Sequence, residues 1–119
     1  MKDDSLSRKS MALGVAMMEL VKELQEKREF IVSRQIGRSG TSVGANIREA
    51  QYAHSRADFI SKLQIALKES NETDYWIELL FQSGYLDSAR YHELDRLCSD
   101  VRVMLISSIR TAKANEGGK

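Results

Sequence analysis

Apolar side chains recur along this chain in steps of three, four and seven rather than alternating, which is the spacing of residues that share one face of an α-helix. From Leu6 through Leu13, Met17 and Leu20 to Leu24 they mark a first helix running to about Lys27, with Ser5 or Ser7 placed to cap it. A charged break over residues 26–29 precedes a second segment, in which Ile36, Gly40, Val43, Ile47 and Ala50 form a narrow seam. Ser55 followed three residues later by Asp58 resembles a capping box with Asp in the usual Glu position, and it opens a third helix. That helix carries Phe59, Leu63, Ala66, Leu67, Ser70, Ile77 and Phe81, and it ends at Gly84, where a left-handed cap is expected and Tyr85-Leu86 folds back. Asp87 or Ser88 then caps a fourth helix with Leu94, Leu97, Val101, Leu105 and Ile109 on one side.

Helices of about 20–25 residues are roughly 30–38 Å long, and connections this short force neighbours to run antiparallel. The expected fold is therefore all-α, an up-down-up-down four-helix bundle forming one domain over residues 1–119. The polar ends, about 1–5 and 114–119, are expected to be frayed or disordered. No internal repeat, low-complexity tract or strand-like alternation argues otherwise.

Composition strengthens this picture. The chain has no proline and 42% apolar residues, enough for one continuous core. Gly37, Gly40, Gly44 and Ala45 crowd the second helix. Each glycine costs about 1 kcal/mol relative to alanine in a helix interior, so a compensating contact is required. Close approach of a neighbouring helix is the expected one; a flexible or ligand-contacting segment is the alternative.

The candidate chemistry is sparse. Cys98, the single cysteine, cannot form an internal disulfide and sits on the apolar stripe, where it reads as a small core residue. The N-terminus lacks the pattern of a secretory leader and no apolar run reaches membrane-spanning length, so a reducing, cytoplasmic setting and no membrane association are expected. Asn46 and Glu49 lie one turn apart and, with Glu69 and Glu72 on a facing helix, outline a carboxylate cluster. Di-iron sites of this kind need Glu-x-x-His, which is absent: Gln51 and Ala89 precede His54 and His92 by three residues. The expected role of Ser42, Asn46, Glu49, Glu69 and Glu72 is a polar network in the core or at a subunit interface, with no metal, cofactor or catalytic group. Tyr75 and Trp76 are too large to be well placed in solvent and are expected in the core or at an interface; base stacking is the minority reading.

Net charge is +1, but its distribution is uneven. Residues 34–68 hold six Lys or Arg against two acids, whereas 69–87 hold five acids and no Lys or Arg. Reversal near residue 54 brings Arg34 and Arg38 level with Asp74 and with Glu69 or Glu72, which predicts pairing there. The same topology gathers both termini and that turn at one end, together with Arg8, Lys9, Arg48, Arg56, Lys62, Arg110 and Lys113. Residues 1–18, 44–64 and 104–119 together carry nine basic and five acidic groups, so the bundle is expected to be polarised along its length, with a phosphate-attracting end.

Three stretches carry a resemblance: Arg38-Ser-Gly-Thr-Ser-Val-Gly-Ala-Asn-Ile-Arg-Glu-Ala50, Ser55-Arg-Ala-Asp-Phe-Ile-Ser-Lys-Leu-Gln-Ile-Ala-Leu-Lys-Glu69 and Gly84-Tyr-Leu86. Over about residues 10–110 the chain resembles the four-helix-bundle family of proteins encoded in intervening sequences of bacterial 23S rRNA genes. The combination of Ser42, Asn46, Ile47 and Glu49 is the most specific part. This family is similar in fold to the accessory protein of diversity-generating retroelements, a ring-shaped pentamer that binds nucleic acid beside a reverse transcriptase. The resemblance thus implies a bundle and a homopentamer, and apolar residues outside the seam, Ile60, Val103 and Ile106, agree with an oligomer. Family members often have proline where this chain has Gly44, which leaves the course of the second helix to be determined. Two functions follow as expectations: an oligomeric, non-enzymatic binder of RNA or DNA using Arg8, Arg48, Arg56, Lys62, Arg110 and Lys113, or a scaffold whose surface recognises a protein partner.

Overall fold

The four apolar stripes meet in one core. A computed structural model describes residues 5–117 and places them in α1 (Ser5–Glu26), α2 (Ile31–Gln51), α3 (Arg56–Gln82) and α4 (Ser88–Gly117). Each helix packs on its sequence neighbours and α1 closes the square against α4. The ion pairs Lys9–Asp100 and Glu23–Arg90 fix α1 and α4 antiparallel, and Arg38 ties α2 to Glu69 of α3. Leu13, Met17, Leu20 and Leu24 meet Ile36, Val43, Ile47, Leu63, Ala66, Ile77, Leu80, Leu94, Val101 and Leu105 in a fully or almost fully buried interior. Removing such apolar surface from water is the main favourable term in folding, at roughly 25 cal/mol per Å².

Local chemistry sets the ends. Ser55 accepts the Asp58 amide at 3.0 Å, as its spacing predicted, and of the two candidate caps for α4 it is Asp87 that accepts an amide, from Arg90 at 2.8 Å. Ser5 and Ser7, expected as caps, are already helical residues of α1. At the other terminus α4 continues through residues 115–117, into the polar end expected to fray. Residues 1–4 and 118–119, included in the frayed ends predicted above, lie outside the described residues.

Two turns end in the same geometry with different residues. After α3, Gly84 adopts φ +90°, its amide reaches Phe81 O, and the Tyr85 amide reaches Leu80 O at 2.9 Å. This is a Schellman cap with glycine in the left-handed position, and Leu86 folds back into the core. After α1 the matching bonds run from Arg28 to Gln25 O and from Glu29 to Leu24 O, but the left-handed residue is Arg28, at φ 62°. A side chain there costs about 1–2 kcal/mol, partly offset because glycine loses more entropy on folding. Arg28→Gly is expected to stabilise the fold by about 0.5–1 kcal/mol, seen as a higher urea midpoint; an unchanged or lower midpoint contradicts this account.

The glycines of α2 meet α1 closely, as the compensation argument required. A methyl group built at Gly40 would stand 2.3 Å from Met17 Cγ, and one at Gly37 would stand 3.1 Å from Val21 Cγ2. Helix α2 runs unbroken through Gly44, so glycine in place of the family's frequent proline leaves its hydrogen-bond ladder uninterrupted. Ile60, expected among the outlying apolar residues, is instead buried within the bundle; Val103 and Ile106 are exposed.

Candidate functional site

The end at which α1 begins, α2 turns into α3 and α4 finishes gathers the predicted basic residues. A hydrogen bond from Gln51 to Ser7 ties the last turn of α2 to the first of α1. A cavity of about 720 Å³ lies at this end between α3 and α4, lined by Arg56 and Phe59 of α3 and by Ser107, Ser108, Thr111 and Asn115 of α4. Arg8, Arg48, Arg56, Arg110 and Lys113 are exposed, and among the described residues none of them pairs with a carboxylate; Arg8 donates only to the Ser5 hydroxyl. Two predicted members are partly neutralised. Lys62 lies 3.5 Å from Asp58, which also meets His54 at 3.7 Å, and Lys9 reaches Asp100 at 3.4 Å. The Asp58–Lys62 pair was legible as one helical turn; Lys9–Asp100 spans 91 positions and had no signal in the sequence.

The polar set does not form one network. Asn46 donates to the Ser42 carbonyl of its own helix at 2.9 Å, both residues are half-buried, and Glu49 is exposed. Glu69 and Glu72 lie further along the bundle, where both bind Arg38. The reason is the antiparallel register: position 38 of α2 stands opposite 69–72 of α3, leaving 46 and 49 opposite earlier residues. Arg38 holds the Glu72 carboxyl below its usual range, helped by the Trp76 indole N–H at 3.0 Å, and Glu72 raises the guanidinium. Arg34 has no part in this pairing: Asp74 instead faces Arg102, at 3.7 Å. Burial and the neighbouring Asp95 push the Asp74 carboxyl up.

The polar contacts in the interior are short and join neighbouring helices. The Ser39 and Thr73 hydroxyls share a hydrogen bond of 2.8 Å, and no buried side-chain nitrogen or oxygen among the described residues is left without a partner. Cys98 is fully buried, its Sγ 3.3 Å from Ser70 O, and burial pushes the thiol up to about 12, far from the thiolate range that nucleophilic chemistry uses. Trp76 is half-buried and stands edge-on to Tyr75, which is exposed. No group of three His, Cys, Asp or Glu residues among those described is arranged to hold a metal ion, and no helix is long and apolar enough to cross a membrane.

Fold and surface together define a four-helix-bundle protein that presents a basic end and a central Arg38–glutamate cluster on an all-helical frame. The chain belongs to the family described as 23S rRNA-intervening sequence protein, whose profile matches residues 2–107. It is similar, at 50% identity and a TM-score of 0.86, to a crystal structure of a protein of unknown function from the S23 ribosomal protein family of Bacteroides thetaiotaomicron. That similarity covers 87% of this chain and 97% of the other. No curated protein matches the chain.

Proposed function

We propose that this protein is a non-enzymatic, oligomeric binder of structured RNA that engages phosphates through its basic end. The observation that carries the reading is the set of cations at one end of the bundle, Arg8, Arg48, Arg56, Arg110 and Lys113, left without carboxylate partners among the described residues. Guanidinium groups match phosphate geometry, and repetition around a ring of parallel copies makes the like ends reinforce one another. A pentamer, by the family resemblance, has five times the 13.5 kDa of one chain.

Binding of a labelled RNA hairpin at low salt tests this directly. Affinity is expected to fall steeply as salt rises, because each neutralised phosphate releases condensed counterions. Replacing Arg48, Arg56 and Arg110 together by Glu is expected to weaken binding by at least about tenfold and to flatten the salt dependence, with helicity unchanged by circular dichroism. No retention of RNA or DNA by the purified protein at low salt, or unaltered binding by the triple variant, would falsify the reading. Light scattering of the same sample tests the assembly.

A further inference from the structure

One surface of the bundle is finished for contact rather than for water. On α1, Met11, Val15 and Met18 are 56%, 50% and 51% exposed along a single line, and beside them Gly14, Gly44 and Ala45 lower the floor of a groove between α1 and α2 of about 480 Å³. Exposed apolar stripes bordering a groove of small residues are the helix-in-groove form of recognition. The same chain offers a matching ridge: the outer edge of α3 presents Ile65, 40% exposed, and Tyr75, 58% exposed. Tyrosine is among the residues most enriched as interface anchors.

Axial register brings the two surfaces together. Met17 packs at Gly40, and Ser39 bonds to Thr73, so α1 residue 17 and α3 residue 72 stand at one level of the bundle. Helices α1 and α3 run in the same direction. Counted at about 1.5 Å per residue, Met11, Met18 and Lys22 then fall within about 3 Å of the levels of Ile65, Tyr75 and Glu78. Two copies placed side by side in parallel therefore set Met18 level with Tyr75 and Lys22 level with Glu78, which lies less than a turn beyond Tyr75 on the α4 side of α3, while Ile65 flanks Tyr75 on the other side. Neither Lys22 nor Glu78 has an ion-pair partner among the described residues of its own chain; Glu78 accepts only from Gln82. Lys68, on the ridge between Ile65 and Tyr75, lies about a turn and a half from the level of Glu49, which has no ion-pair partner among the described residues and stands at the rim of the groove. Arg48 lines the groove at its limit toward the basic end.

We propose that the α1–α2 groove of one copy receives the outer edge of α3 of the next, a head-to-tail contact that uses a different surface on each side. The inference rests on the oligomeric reading above and says which faces build it. Such a contact propagates into a ring or filament and does not produce a two-fold dimer.

The heterologous geometry gives a specific test. Val15→Glu destroys the groove and spares the ridge, whereas Tyr75→Glu destroys the ridge and spares the groove; both positions are exposed, so circular dichroism should show native helicity. By size-exclusion chromatography with light scattering, the parent chain is expected to be an oligomer and each variant a monomer of 13.5 kDa. Their equimolar mixture is expected to form a dimer, because one intact groove and one intact ridge remain. Lys22→Glu is expected to weaken assembly, and adding Glu78→Lys in the same chain to restore it. Variants that retain the parent mass, or a mixture that stays monomeric, overturn the assignment of faces while leaving oligomerisation intact. A monomeric parent overturns both.

Discussion

Replacing Gly40 with alanine is expected to destabilise the protein by about 1–3 kcal/mol, although alanine is the better helix former by about 1 kcal/mol. The added methyl would stand 2.3 Å from Met17 Cγ and 2.9 Å from Met17 Cβ. Rotation can move Cγ, but Cβ moves only with the α1 backbone, and Met17 is wholly enclosed by core residues. The substitution therefore pushes α1 away from α2 at the middle of their contact. Gly44→Ala is the matched control. Its methyl would meet the Ser10 carbonyl and hydroxyl oxygens at 3.5 Å, an ordinary contact, so the helix-propensity gain survives and stability should rise by up to about 1 kcal/mol. Urea unfolding of the two variants should thus move in opposite directions. A Gly40→Ala midpoint equal to that of the parent would mean that α1 yields at no cost and that close packing is not what retains the glycine.

Glu29→Ala should be comparably damaging, at about 1–3 kcal/mol, for a reason unrelated to charge pairing. The Glu29 carboxylate, almost fully buried between α1 and α2, accepts the amides of Ile31 at 3.1 Å, Val32 at 2.9 Å and Ser33 at 2.9 Å. These are first-turn donors of α2, which have no partner within the helix, and Val32 and Ser33 are themselves buried. Alanine strands them away from water. A negative group at this position also opposes the positive end of the helix dipole, so Glu29→Gln, which keeps an acceptor and loses the charge, is expected to fall between alanine and the parent. Thermal unfolding of the three proteins checks the order, and equal stability of Gln and Ala variants would remove the capping explanation.

Glu29 also marks where reading the sequence stopped short. Residues 26–29 announce a break because charged side chains interrupt the apolar period, and the break is real. That Glu29 folds inward to cap the following helix is not contained in that pattern, since an ordinary capping residue is Ser, Thr, Asp or Asn immediately before the first turn. The left-handed Arg28 had no sequence signal either, whereas Gly84, in the same geometry, did: glycine advertises the conformation and arginine does not. The α3 cap at Ser55 and the cap at Asp87 were legible because both use conventional side chains at conventional spacing.

The candidate site divides in the same way. Topology alone brings both termini and the turn after α2 to one end, so the gathering of Arg8, Arg48, Arg56, Arg110 and Lys113 follows from the helix count. Which cations are already occupied does not follow. Lys9 finds Asp100 across the α1–α4 seam, and Asp74 finds Arg102 rather than Arg34, because such pairings depend on the rotation of each helix about its axis. A residue too far around the helix faces the wrong neighbour, whatever its level. The expected polar network failed for a related reason, as Asn46 satisfied itself on its own backbone and Glu49 turned to solvent.

The amino-acid order by itself determined four helices, their approximate limits and their antiparallel course, because apolar period, breakers and short connections are local properties that act over one or two turns. It also determined that positive charge accumulates at the end holding the termini. Tertiary structure alone decided that Gly40 is held by Met17, that Glu29 closes the start of α2, and that the groove of α1 and α2 stands level with the edge of α3. These are relations between helices whose rotation and offset are set only when the whole core closes around side chains of fixed volume.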